Sequence, residues 1–197
     1  KILEKLKALD AEIIITGHGE PIRGAATIRA DIDRLIGAIT YIRDYTLDGM
    51  NAGRTVHELM RDVKLPENLT IGEFHGKVSW SVKTIWEEYS GWFHYEDGTT
   101  ELYHVPRSAV NDDLVMLAGG PSALAHQASV HVIAGRPLEA IHLLDIALDV
   151  EPAHRESLGV KKQALTALLD ASGSRNLSET MWLKSEIAAV DQLLTAD

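Results

Sequence analysis

Apolar residues recur at spacings of three and four along most of the chain, which predicts helices. Ile2, Leu3, Leu6 and Leu9 form the first such stripe, and Asp10-Ala11 ends it. Glu12-Ile13-Ile14-Ile15-Thr16 breaks the period: a short β-branched run between turn residues predicts a buried strand. Gly17-His18-Gly19-Glu20-Pro21 follows as a loop at the carboxyl end of that strand. From about Ala25 to Gly49, the stripe Ile28, Ile32, Leu35, Ile36, Ile39, Ile42 and Leu47 predicts one long amphipathic helix. Asn51-Ala52-Gly53 breaks it, and Thr55-Val56-His57-Glu58 has the form of a capping box opening a short helix to Val63. Pro66 closes that helix, and residues 66–76 read as irregular. Lys77 to Tyr89 reads as a helix that Gly91 stops. Asp97-Gly98, between aromatic and β-branched runs, predicts a small β-hairpin near 92–105.

From Ser108 onward the pattern is helical, with breaks at Gly119-Gly120-Pro121, Gly135-Arg136-Pro137, Glu151-Pro152 and Ser172-Gly173-Ser174. The predicted helices run near 109–118, 122–134, 137–149, 153–171 and 178–194. Connections this short make consecutive helices antiparallel neighbours. Gly135, Ala140, Ala147-Leu148 and Pro152 resemble one tetratricopeptide-type helix pair, without a second copy at the period of about 34 residues. The expected fold is mostly α: a short α/β segment, then an antiparallel helical domain.

Composition narrows the function classes. The chain has 197 residues, of which 45% are hydrophobic and 24% charged, ordinary values for a folded domain. Its net charge of −10 disfavours wholesale nucleic-acid binding, which needs a basic stripe. No apolar run is long enough to span a bilayer. The absence of cysteine excludes disulfides, thiol catalysis and Cys–zinc fingers, but leaves a cytoplasmic and a periplasmic setting equally open. Lys1 opens the chain inside an apparent helix, so the sequence reads as an interior segment of a longer protein.

The sharpest chemical feature is His18 between two glycines after the isoleucine run. A tight loop with little steric cover gives an imidazole a fixed orientation and an open approach, which suits a metal ligand. The alternative is a surface turn histidine without a role. His75 stands before a helix, where it either donates a hydrogen bond to an anionic substrate or caps and packs the helix start. Trp80, Trp86, Trp92 and Phe93 read as core, or as the apolar wall of a pocket for an alkyl chain. His94 and His104 flank the predicted hairpin and lack a third ligand. Glu87-Glu88 reads as a solvated face, because adjacent helical residues do not face each other. Asn111-Asp112-Asp113 reads as the acidic first turn of a helix.

Strand, Gly-His-Gly, Pro and then a helix resembles the last metal-ligand segment of the metallo-β-lactamase fold. Phe74-His75-Gly76-Lys77-Val78-Ser79-Trp80-Ser81-Val82-Lys83, followed by Tyr89-Ser90-Gly91-Trp92-Phe93, resembles the start of the dimerisation region of alkyl sulfatases of that fold. The stretch from Ala123 to Pro152 and the segment Asn176 to Leu183 resemble the rest of that region, so the likeness runs from about Ile13 to Leu194. It implies residues 1–25 as the end of a lactamase-fold domain, 26–107 as connecting helices and hairpin, and 108–197 as the dimerisation domain. It further implies a binuclear zinc hydrolase cleaving a sulfate ester with metal-activated water, and a homodimer. His18 would be a zinc ligand, and His75, Lys77 and Trp80 would meet the substrate. No catalytic residue is assigned within the chain, and a single histidine cannot hold a hydrolytic zinc, which takes about three protein ligands. The chain departs from the family where an aromatic hydroxyl and an arginine usually contact the sulfate: Phe74 or His75 and Ser79 or Trp80 stand there instead, so Lys77, Lys83 or His75 would have to substitute. That keeps a hydrolase of another ester open, and the helical portion separately leaves open a tetratricopeptide-like interaction or dimerisation module with the Gly-His-Gly loop as a remnant.

Overall fold

The computed structural model describes residues 1–94 and 98–196, in two compact units, residues 1–94 and 95–197. The first unit opens with α1 (Ile2–Ala8), β1 (Ile13–Ile14), β2 (Ile22–Arg23) and α2 (Ala25–Asn51). The two strands pair antiparallel, Ile13 opposite Arg23 and Ile14 opposite Ile22. The expected buried strand is therefore shorter and more exposed than its sequence suggests: Ile13 and Ile15 lie largely in solvent. A two-residue ladder buries only the side chain facing its neighbours, and here that is Ile14, which is half-buried. Lys7 Nζ meets Asp33 at 2.5 Å and Arg29 pairs with Asp10, tying α1 and the following turn to α2.

On α2 the buried positions are Ile28, Ile32, Ala38, Ile42, Thr46 and Gly49, one stripe of the helix. Thr46 is fully buried, and its hydroxyl donates to the Ile42 carbonyl at 2.7 Å. Gly49 lets α3 (Val56–Asp62) close in, because a Cβ there would lie 2.3 Å from Leu59 Cδ2. Helix α3 begins with the predicted capping box: Thr55 accepts from the Glu58 N–H, and Glu58 accepts from the Thr55 N–H. Helix α4 (Val78–Ser90) adds Val82 to a core of Ile42 and Leu59, with Tyr45, Val78, Ile85 and Trp86 packed around it. The segment between α3 and α4 is irregular apart from a 3-10 turn at Glu67–Leu69.

The second unit contains α5 (Asn111–Ala118), α6 (Pro121–Ile133), α7 (Pro137–Val150), α8 (Arg155–Ser172) and α9 (Leu177–Thr195). Each lies within a few residues of its predicted position. Pro121 and Pro137 occupy first-turn positions, where the missing N–H costs nothing, and left-handed Gly119 and Gly173 end α5 and α8. Asp112 and Asp113 fall in the first turn of α5, as expected. Ala125, Ala128, Ala140, Leu144, Val160 and Ala164 form one core cluster; Leu158, Leu165, Leu183 and Val190 form a second. Fully buried alanines let helices approach closely. The antiparallel order is pinned by Lys161–Asp145 at 2.7 Å, Lys162–Asp191 at 2.6 Å, and Arg155 donating to the Leu194 carbonyl at 2.9 Å.

The hairpin expected near 92–105 is corrected in part. Tyr95, Glu96 and Asp97, and so half of the Asp-Gly turn, lie outside the described residues. Gly98–Leu102 is a 3-10 helix, in which the Tyr103 N–H returns to the Thr100 carbonyl at 3.0 Å, and Arg107–Val110 is another. Local i to i+3 bonds take the donors that a cross-strand ladder would need. The small antiparallel pair of this mostly helical fold is β1–β2 instead. Among the described residues no helix is long and apolar enough to cross a membrane.

Candidate functional site

The Gly-His-Gly loop joins β1 to β2. The Thr16 hydroxyl donates to the His18 carbonyl at 2.5 Å, which folds the loop on itself. Gly19 has φ 86°, a left-handed value that a side chain would strain. A Cβ at Gly17 or Gly19 would meet nothing within 4 Å, so the loop stands open and His18 is exposed.

The His18 ring stacks on His75, with centroids 6.1 Å apart and planes inclined by 29°. The structure thus brings together two of the residues singled out in the sequence. At the start of α4, Glu73 Oε1 accepts from the Val78 N–H at 2.6 Å. A carboxylate there also suits the positive end of the helix. Glu73 escaped the sequence reading, although an acid shortly before an apolar helical run is a recognisable start signal. Immediately past His75, Lys77 Nζ lies 5.7 Å from the centre of the Trp80 ring, a cation–π arrangement. His18, His75, Lys77 and Trp80 all belong to the first unit, and the imidazoles and Trp80 are open to solvent.

The aromatic residues do not form one cluster. Trp86 joins the core beside Val82, Trp80 lies against Lys77, and Trp92 meets Phe93 edge to face at 5.7 Å. Glu87 and Glu88 are exposed, as a solvated face requires. Among the described residues no three His, Asp or Glu side chains gather as a metal site, His94 and His104 included. His18 stands there as a single exposed imidazole on its loop.

A histidine flanked by two serines lies in the helical unit. His154 Nε2 is 3.2 Å from Ser122 Oγ, and His154 Nδ1 is 2.8 Å from Ser157 Oγ. This resembles a serine–histidine pair, but the Ser157 N–H donates to Nδ1 at 3.2 Å. With Nδ1 accepting, the ring proton sits on Nε2 and points at Ser122, so His154 cannot act as its base. The arrangement is an N-cap for α8.

The model of the family described as alkyl sulfatase dimerisation matches residues 55–185. A linear primary-alkylsulfatase of Pseudomonas sp. (strain ATCC 19151) is 28% identical over 200 residues, covering 99% of this chain and 37% of that protein. An (R)-specific secondary-alkylsulfatase of Pseudomonas sp. is 22% identical, covering 80% of this chain and 24% of that protein. The solved structure of the stereoselective inverting sec-alkylsulfatase Pisa1 from Pseudomonas sp. superposes with a TM-score of 0.80 at 21% identity, covering 99% of this chain and 31% of that one. The chain thus spans about a quarter to a third of the length of these relatives, and its mostly helical fold matches the corresponding part of the solved structure. With well over half of its residues matched by the family model, this chain belongs to the alkyl sulfatase dimerisation family.

Proposed function

We propose that the chain is a portion of a zinc-dependent hydrolase of alkyl sulfate esters that works as a homodimer. Its first residues, about 1–25, would be the end of a metallo-β-lactamase-fold domain, and His18 one ligand of a binuclear zinc site otherwise held by groups elsewhere in the protein. The stacking of His18 on His75 carries this reading. It places the open histidine loop against the segment leading into α4, where Lys77 and Trp80 also lie.

Each side chain then has a part. Zinc, when bound, lowers the pKa of its water into the neutral range and so supplies a nucleophile. The His18 ring is offered from a loop held by the Thr16 bond to its backbone carbonyl and by the glycine turn. His75 stacks beside that ring, 6.1 Å away and inclined by 29°, and so flanks the open loop. Lys77 provides a positive charge for an anionic ester, and charge-assisted contacts are the stronger ones. The Trp80 face supplies apolar surface for an alkyl chain. The test is replacement of His18 by alanine in the full-length protein. Zinc content and alkyl sulfate hydrolysis should both fall; retention of both overturns the assignment.

The missing sulfate-contacting arginine favours a second reading, hydrolysis of another ester such as a lactone, phosphoester or thioester. A substrate panel on the full-length protein separates the two. The buried alanines between α6, α7 and α8 favour a third, a tetratricopeptide-like interaction module. That reading gains if His18→Ala is silent while the protein still associates.

A further inference from the structure

The stretch Gly72-Glu73-Phe74-His75-Gly76-Lys77 leads into α4 without regular structure. A glycine on each side gives its backbone many accessible paths, so the place of the His75 ring depends on what holds the residues beside it. Two contacts do this. Glu73 Oε1 accepts from the Val78 N–H at 2.6 Å, which closes residues 73–78 into a ring with His75 inside it. The Phe74 ring lies over Gly72: a Cβ there would stand 2.6 Å from Phe74 Cε2 and 3.0 Å from Cδ2. That seat exists because residue 72 has no side chain.

Phe74 is 70% exposed. A phenyl ring so open gains little from burial, so its contact with Gly72 contributes little to folding. Its effect is local: it bends the chain back between 72 and 74, immediately before His75. The Glu73 bond is equally local and needs only an oxygen that accepts, not a charge. Both contacts therefore bear on the one residue whose ring stacks on His18.

We propose that Glu73 and Phe74 are positioning residues, which with Gly72 form a clamp that holds His75 beside His18. The proposal rests on the preceding reading of these two histidines as parts of a hydrolase site, and adds what fixes their relative placement.

The test uses variants of the full-length protein. In Gly72→Ala the new methyl takes the place of the Phe74 ring. The backbone at Gly72 is not left-handed, and the exposed ring has solvent to swing into, unlike Leu59 over Gly49. The melting temperature should therefore barely change, and zinc should be retained. The kcat for octyl sulfate should fall about 10-fold with little change in KM, because small misplacements near the reacting centre are costly. Glu73→Ala should do the same, whereas Glu73→Gln, whose amide oxygen still accepts, should recover most of the rate. In a His75→Ala background, Gly72→Ala and Glu73→Ala should each cost less than about twofold more, since they act through His75. A crystal structure of Gly72→Ala should show the His18 and His75 rings further apart than 6.1 Å.

A full loss that persists in the His75→Ala background overturns the clamp, as does a crystal structure with His75 unmoved. So does a Gly72→Ala protein as fast as the unaltered one. An unaltered protein that hydrolyses no alkyl sulfate overturns the preceding reading instead, and the crystal structure then decides the clamp by itself.

Discussion

The rings of His18 and His75 stack at 6.1 Å, although one sits on a loop between two short strands and the other before a long helix. The contact joins the candidate metal ligand to the candidate substrate-binding segment. Replacing His75 by alanine removes the stacking partner but leaves the His18 nitrogens in place. In the full-length protein this variant should keep its zinc and hydrolyse alkyl sulfate about 10- to 100-fold more slowly, the usual cost of losing a group that orients a ligand. Metal analysis beside steady-state kinetics checks it, with the loss expected in kcat more than in KM. A rate equal to that of the unaltered protein would remove His75 from the site.

The capping box of α3 should show in the dependence of stability on pH. The Glu58 carboxylate accepts from the Thr55 N–H at 2.8 Å and from its hydroxyl at 2.9 Å. The backbone bond, then the hydroxyl bond, hold it below the usual carboxylate range, and Arg54 and Arg61 add to this. A lowered folded-state value means that the stabilisation is complete above the unfolded carboxylate pKa. It disappears as the pH falls through the folded value. Glu58→Gln should therefore lose stability at neutral pH and flatten the acid side of the curve. Thr55→Ala should cost about 1 kcal/mol in urea unfolding, the typical worth of a cap.

Gly49 and Leu59 predict a substitution that local propensity would get wrong. In an exposed helix, Gly→Ala gains up to about 1 kcal/mol. Here the new methyl would lie 2.3 Å from Leu59 Cδ2 and 2.7 Å from Cδ1, and Leu59 is fully buried, so it has no solvent side into which to withdraw. Gly49→Ala should destabilise by about 1–3 kcal/mol, the usual cost of overpacking. A rise in the melting temperature would show that α3 can shift.

The direction of the His154 bonds predicts an inert serine. With the Ser157 N–H on Nδ1, Ser122 has no base. A fluorophosphonate probe should leave Ser122 unlabelled, as read by mass spectrometry, and Ser122→Ala should not alter hydrolysis in the full-length protein. His154→Ala should instead lower stability by about 1 kcal/mol through the lost cap. Labelling of Ser122 would reverse the tautomer.

Much of the helical architecture was legible in the sequence because it rests on local signals. Thr55 with Glu58, Pro121 and Pro137 at helix starts, and Gly119 and Gly173 at helix ends act through bonds to residues a few places away. The stripe Ile28, Ile32 and Ile42 needs only the helical period. The strand at Ile13–Ile15 and the hairpin after Trp92 were harder. β-propensity reports how well a side chain fits a half-buried surface, and such a surface has to be provided by the rest of the fold. Around Gly98 the backbone satisfied itself with 3-10 bonds, and at Ile13 the ladder stopped after two residues.

The sequence by itself determined where the helices lie, how they are capped, and that His18 stands on an open glycine loop. It also carried the resemblance to the alkyl sulfatase dimerisation region that the family match bears out. Tertiary structure alone decided that His18 stacks on His75, that Glu73 accepts from the first N–H of α4, and that Trp86 is core while Trp80 lies under a lysine. The reason is the range of the forces involved. Caps and periodicity act within a turn or two of the chain, whereas stacking and shared surfaces depend on how distant elements pack. No local pattern encodes that packing.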